Sequence, residues 1–287
     1  MTIKVRFFGD YGPFNSKVLE SVYDRSDNLI DLVNDESYTH VVIVNKAMPN
    51  ISHIPKENIM GVSFEPYEFL FMNQEFINYA KKYISRYFIG SKHDLPPPFE
   101  EHYTFQFHNW ANAPYLNYES KPSAMSLMIS DKAFLEGHRY RYALAEEIIK
   151  QNIPVDILGR GADILKNYFP NCKYIKSSFK EDSELYKNYK YTIAIENTTS
   201  NKYISEKLTN AYVHNTIPIY LGAKYVDEIF GNNCCIKLSG NVLKDIELIK
   251  KIANNPDEYR LDVSSFRKEL FEGKCCWYTL MKELWVK

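Results

Sequence analysis

The chain carries almost no net charge: 35 Lys and Arg against 36 Asp and Glu leave a formal −1 over 287 residues. Without a global basic field, nucleic acid is excluded as the main partner, and any anion site must be local. Long apolar runs are lacking too. None approaches the roughly 20 residues needed to cross a bilayer, and the opening MTIKVRFFGD alternates like a strand where a secretory leader would place a basic stretch and an apolar run. A cytoplasmic protein is expected. No G-x-G-x-x-G and no P-loop occurs, which removes two common glycine-rich phosphate cradles. The five cysteines (Cys172, Cys234, Cys235, Cys275 and Cys276) show no C-x-x-C spacing for zinc. Their odd number and two vicinal pairs read as buried free thiols in a reducing compartment.

What is present is ordinary globular material, 45% apolar and 25% charged, in a length that suits two domains better than one. Short β-rich runs at 4–8, 40–44, 59–64 and 86–89, with a helical pattern over 67–83, predict a first α/β domain over residues 1–122. The prolines of LPPPFEE forbid regular structure there, and an aromatic, Asn- and His-rich segment leads to the boundary at Pro122. The second domain, 123–287, is expected to hold strands at 124–129, 155–158, 191–196, 216–221 and 235–238, with helices at 136–151 and 205–214. Helical patterns at 242–255, 257–272 and 276–285 close the chain, the last one packing back on the first domain. Alternating strands and helices imply mostly parallel sheets, which bind ligands beyond the carboxyl ends of their strands. The 23 tyrosines suit packing at least as well as sugar stacking.

The chemistry concentrates in YKYTIAIENTTSNKYISEKLTNAYVHNTIPIYLGA, residues 189–223. An apolar strand ends in Glu196 and Asn197, delivering a carboxylate and an amide to the sheet's edge, and Thr198 to Asn201 form a turn-rich loop. Ser205 caps the next helix, placing Glu206 and Lys207 in its first turn. A helix N-terminus favours anions, and Lys207, expected to be exposed, adds a full positive charge suited to a diphosphate. Glu206 is acceptor-only when ionised and fits sugar or ribose hydroxyls. No D-x-D triplet, the pattern that holds a diphosphate through a divalent metal, occurs in the chain, so no metal ligands are expected.

This segment resembles the α1,3-fucosyltransferases of glycosyltransferase family ten. The counterparts of that family's hallmark are Tyr189-Lys190, Glu196-Asn197-Thr198, Tyr203-Ile204-Ser205-Glu206-Lys207 and the strand from Thr216 to Gly222. Thr198 and Ser205 depart from it and keep a hydroxyl. Upstream, HRYRYALAEEI resembles the family's arginine-bearing helix, with Arg141 the counterpart by spacing and Arg139 the alternative. VDILGRG resembles a strand and glycine segment that places Arg160. In the first half, GVSFEPYEF resembles the segment that carries a glutamate before proline, here Glu65. The resemblance implies two Rossmann-like domains facing each other across a cleft, the GT-B arrangement. It also implies a metal-independent, inverting transfer of L-fucose from GDP-fucose to a hydroxyl of a glycan acceptor. Arg141, Tyr203, Glu206 and Lys207 would bind the donor, with Arg160, Glu196 and Asn197 in the donor site's architecture and Glu65 as general base.

Each residue has a plainer reading. A first-turn Lys207 and Glu206 are more often solvated, Arg160 between two glycines suits an ordinary loop, and Glu196 can hold backbone amides near the loop. Should Glu65 fail as base, Glu68 and Glu100 come next. His102, His108, Asn109 and Trp110 line an acceptor cleft or simply pack. A transferase using another nucleotide sugar and a non-catalytic carbohydrate-binding relative remain the alternatives.

Overall fold

The computed structural model describes residues 2–17, 27–103, 115–272 and 277–286. Two all-parallel sheets organise them. The first joins β1 (Ile3–Gly9), β2 (Ile30–Leu32), β3 (His40–Val44), β4 (Ile59–Val62), β5 (Arg86–Ile89) and β6 (Phe99–Glu101) in the order β2-β1-β3-β4-β5-β6. The second joins β7 (Ser123–Met128), β8 (Asp156–Leu158), β9 (Tyr189–Ser200), β10 (Ile217–Ala223) and β11 (Ile236–Lys237) in the order β11-β10-β9-β7-β8. The strand sequences dictate this. HVVIV and IMGV bury every residue but His40, so both faces must be covered, the setting in which parallel sheets occur. In each sheet the winding reverses once, between β1 and β3 and between β7 and β9, and such a reversal leaves a crevice at the carboxyl ends.

The helices are α1 (Tyr67–Leu70), α2 (Gln74–Tyr83), α3 (Glu136–Lys150), α4 (Arg160–Tyr168), α5 (Glu206–Val213), α6 (Asp227–Phe230), α7 (Val242–Asn254), α8 (Phe266–Glu272) and α9 (Trp277–Trp285). Several differ from the sequence reading. The helix expected over 67–83 is split, because Phe71 turns left-handed at φ 48° and Asn73 starts α2 by accepting from the Phe76 amide. β6 follows directly on the prolines: the ladder asks Pro98 only for its carbonyl, which accepts from the Tyr87 amide. The expected helix over 257–272 is a 3-10 turn at Pro256–Tyr259, and α8 begins only at Phe266. The loop expected at Thr198 to Asn201 is largely strand. After Leu221 pairs with Ile195, β9 takes five steps where β10 takes two before Ala223 pairs with Ser200, and this bulge pushes Glu196 to Thr199 out of the ladder.

The strands of the first sheet end at Glu101 and those of the second begin at Ser123. α9 lies against the first sheet's half: the Tyr278 hydroxyl donates to Asp27, Lys282 pairs with Asp27 at 2.9 Å, and the Trp285 ring sits 4.8 Å from that of His40. The facing edges of the two halves meet through Lys202 N to Gly90 O at 2.8 Å, Asn201 N to Ser91 Oγ at 2.9 Å and Asn201 Nδ2 to Glu101 Oε2 at 2.8 Å. Gly90 permits this approach, since a Cβ there would stand 2.5 Å from the Tyr203 Cβ and 2.6 Å from its Cα. Gly90→Ala is therefore expected to cost about 1 to 3 kcal/mol of stability. A thermal melt that matches the wild type would show that the halves do not meet there.

Candidate functional site

The bulge in β9 sets the site's foundation. Glu196, only 2% exposed, accepts the Ser205 amide at 2.8 Å on Oε1 and the Ser205 hydroxyl at 2.5 Å on Oε2, while the Tyr220 hydroxyl reaches Oε1 at 3.3 Å. Gly222 makes room for it, because a Cβ there would fall 2.3 Å from the Glu196 Cγ. Burial pushes the Glu196 carboxyl up, against the pull of Lys207 and of the Ser205 bonds. All its oxygens are engaged in holding the turn into α5, so Glu196 builds the site and does not face a ligand as a free carboxylate.

Ser205 passes this anchoring on. Its hydroxyl, donated to Glu196, accepts from the Lys207 amide at 3.3 Å, which is the expected cap, and also from Lys207 Nζ at 3.2 Å. Lys207 Nζ donates further to Glu206 Oε1 at 2.7 Å. Contrary to expectation, Lys207 is buried, at 8% exposure. The reason is tertiary: α5 packs between β9, β10 and α8, and every residue of it from Lys207 onward is buried.

From the other side of the switch point, α3 brings Arg141. It is buried, its Nε donates to Gly137 O at 3.1 Å and its guanidinium donates to Asn197 Oδ1 at 2.6 Å. Arg139 instead lies exposed and bonds Phe134 O, so helix phase separates the two arginines and turns Arg141 inward. Burial lowers the hold of Arg141 on its proton, and the neighbouring Glu196 and Glu206 raise it. One turn earlier stands His138, which the sequence reading missed. It is buried, it accepts the Leu135 amide on Nδ1 at 3.2 Å and it hydrogen-bonds Asn197. Burial, then Arg141, Lys207 and Lys132, push it down to about 4, so it is neutral. Its spacing of three from Arg141 on one helix was the available signal.

The first sheet contributes Glu65, just beyond β4. Burial pushes its carboxyl up to about 7; Glu206 and Glu196 add to this, while Lys207 and Lys132 oppose it. Its Oε2 has no hydrogen-bond partner among the described residues. Tyr203, from the segment that closes on Gly90, is 1% exposed, and its hydroxyl likewise finds no partner among them. Burial first, then Glu65, Glu196 and Glu206, hold that phenol well above its usual range. Thus Glu65, Arg141, Glu196, Asn197, Tyr203, Glu206 and Lys207 share one electrostatic neighbourhood. Arg160 stands apart: it opens α4 where a loop was expected, is exposed, and pairs with Asp131 at 3.0 Å.

The other candidates pack. Glu100 is tied to Arg86 at 2.5 Å and Glu68 faces His93 at 3.3 Å. His102 stacks edge-on to Phe88 and bonds Tyr103 O. His108, Asn109, Trp110, Cys275 and Cys276 lie outside the described residues. Among those described, no group of three His, Cys, Asp or Glu could hold a metal ion, and no helix is long and apolar enough to cross a membrane. A pocket of about 260 Å³ opens beside the cluster and shares Gly137 and Glu196 with it.

Comparison with known proteins places this arrangement. The pattern described as glycosyltransferase family 10 (fucosyltransferase) C-term matches residues 118–264. A putative fucosyltransferase-like protein of Arabidopsis thaliana is 26% identical over 124 residues, 42% of this chain and 22% of its own length. An α-(1,3)-fucosyltransferase of Helicobacter pylori is 28% identical over 101 residues, 34% of this chain and 21% of its own. The matched segments thus span about a fifth of these relatives. Among solved structures, an α1,3-fucosyltransferase with GDP-fucose superposes with a TM-score of 0.53 at 15% identity, covering 90% of this chain and 80% of that one. An α-glucosyltransferase with UDP-glucose and DNA gives 0.63 at 9% identity, covering 99% and 100%. At such identities the likeness is one of fold, the two Rossmann-like domains of the GT-B class.

Proposed function

Because this chain belongs to glycosyltransferase family 10, whose pattern it matches over half its length, we propose that it transfers L-fucose from GDP-fucose to a hydroxyl of a glycan acceptor with inversion. One observation carries the reading: a carboxyl poised near neutrality on the first half, Glu65, shares a neighbourhood with two buried cations of the second, Arg141 and Lys207. Residues 1–122 would present the acceptor and residues 123–287 the donor.

The chemistry follows from that division. Glu65 takes the proton of the acceptor hydroxyl as its oxygen bonds to the anomeric carbon and the bond from that carbon to the diphosphate oxygen breaks. Arg141 and Lys207 receive the charge that grows on the departing diphosphate, already fixed in place by Asn197, Ser205 and Glu206. Tyr203 and Glu206 orient donor hydroxyls, Glu196 and Asn197 hold the cations and the α5 turn in register, and Arg160 is given no donor contact because Asp131 engages it at the surface. A reducing, cytoplasmic setting belongs to the same proposal and suits the buried free thiols of Cys234 and Cys235.

Calorimetry against GDP, UDP and CDP, then the matching sugar nucleotides, tests the reading, with GDP and GDP-fucose expected to bind best. The cationic side chains supply the anion site themselves, so GDP affinity should persist in excess chelator. Binding abolished by chelator and restored by manganese would overturn that expectation.

A further inference from the structure

The second sheet carries a cavity on its opposite rim. About 390 Å³ in volume, it opens at the amino ends of β7 and β10, between the 3-10 turn Tyr118–Ser120, the turn from α5 into β10 and the segment after Tyr259. The cluster built on Glu196 lies at the carboxyl ends, about 20 Å away along the seven residues of β10. A small ligand cannot occupy both. The rim is held rigid by a buried charge that the transfer chemistry does not use: Lys121, 3% exposed, donates to His214 O at 2.8 Å, Thr216 Oγ1 at 2.9 Å and Tyr186 O at 3.1 Å. Asn215 Nδ2 adds a bond to Leu116 O at 3.1 Å. Two walls of the cavity are thereby stapled together, and a preformed cavity of this size falls within the range of small-ligand sites.

Its lining points to a class of ligand. Asn117 heads the 3-10 turn, where an asparagine oxygen usually accepts a turn amide, yet it makes no such bond and lines the cavity instead. Asp262 meets its own turn with Oδ1 alone, accepting Ser264 N at 3.0 Å and Ser264 Oγ at 2.6 Å, which leaves Oδ2 for a ligand hydroxyl. Those bonds also hold its carboxyl below the usual range, so it stays an acceptor. Tyr115 is 41% exposed, with the Arg267 guanidinium 5.6 Å from its ring centroid. A phosphate is disfavoured, because Arg260, the cation among the lining residues, is engaged by Glu119 at 2.6 Å and lies over Tyr118 at 4.7 Å, while Asp262 repels an anion. A pyranose fits: its C–H face rests on the electron-rich face of Tyr115, and its hydroxyls donate to Asp262 and exchange bonds with the amides of Asn117 and Asn215. We propose that this cavity is a second carbohydrate site, which binds a short stretch of a neutral oligosaccharide and holds the protein on a glycan while transfer proceeds in the cleft. The inference does not depend on which nucleotide sugar the cleft takes.

An array of neutral and sulfated oligosaccharides probed with the wild-type protein, followed by calorimetry with the neutral oligosaccharide that binds best, tests this. The transfer cleft can also hold a glycan, so substitutions at the cavity decide where binding occurs. Tyr115→Ala should weaken it about three- to tenfold, while Tyr115→Phe, which keeps the ring, should match the wild type. Asp262→Asn puts a donor where an acceptor stood and should cost about tenfold. GDP affinity should be the same in all three variants, since none of them touches the Glu196 cluster. Both positions are exposed, and an asparagine at 262 still offers an oxygen to Ser264, so melting curves should show folded proteins. Absence of any neutral binder, a preference for sulfated glycans, or wild-type affinity in both folded Tyr115→Ala and Asp262→Asn would defeat the proposal. A loss that GDP binding shares would trace the effect to the fold and defeat it equally.

Discussion

Glu65→Gln is expected to lower turnover by about 10²- to 10⁴-fold, the span typical of losing a general base, while donor affinity stays that of the wild type. The amide keeps the size of the side chain and cannot take a proton. Two pH signatures accompany this. Because burial first of all holds the carboxyl up at about 7, wild-type kcat/KM should fall below pH 7 as the base becomes protonated, and the residual activity of the glutamine variant should lack that limb. Stability moves the other way. The unfolded chain returns the carboxyl to its ordinary value near 4.5, so between about 4.5 and 7 the folded state binds the proton more tightly and the wild type loses stability as pH rises. Glu65→Gln escapes that loss and should melt higher than the wild type at pH 8. Wild-type transfer rates in the variant would place the base elsewhere. Glu68, whose Oε2 is buried without a hydrogen-bond partner among the described residues, would then come before Glu100, which Arg86 engages.

The second large effect is that of Lys207→Ala, for which donor affinity should fall about ten- to a hundredfold, in keeping with a hydrogen bond to a charged group. Turnover should fall at least as far, because charge on the departing oxygens grows toward the transition state. Burial of the lysine adds a structural cost. Removing it takes away one partner of Glu206 Oε1 and a donor to Ser205 Oγ, so a loss of about 1 to 3 kcal/mol of stability is expected as well. Donor titration and single-turnover transfer must then be read below the melting point of the variant. Lys207→Arg keeps the charge but not the compact ammonium that fits between Glu206 and Ser205, and should recover only part of the activity. Unchanged affinity and rate in the folded alanine variant would take Lys207 out of the site.

The parts of this site written in the sequence are those whose causes are local. Glu196, the polar stretch after it, the Ser205 cap and first-turn Glu206 and Lys207 lie within a dozen residues of one another, and the cap forms as read. The parts that were not legible depend on distant segments. Lys207 is buried where α5 packs against β9 and β10, and Glu65 is held near neutrality by burial and by charges from another half of the chain. Glu196 turns inward because Gly222, on the next strand, leaves the space. Spacing alone favoured Arg141 over Arg139, but only the packed face of α3 shows which one meets Asn197. Likewise the sheets were legible as alternating patterns, whereas β6 after its prolines and the split at Phe71 follow from pairing and capping that no period reveals.

The seat of α9 has a consequence for how the chain acquires its structure. Tyr278 bonds the Ile30 amide across 248 positions and the Asp27 carboxylate across 251. During synthesis β1 to β6 are all made long before their covering helix exists, so the flank that α9 occupies stays open to water, or to other chains, while the second sheet is being translated. Contacts of such separation carry a large loop-closure entropy and slow the final step of folding. The early half therefore goes without these α9 contacts until the rest is made, although domains made first commonly fold as units. Its last surface closes only when the late half has been delivered.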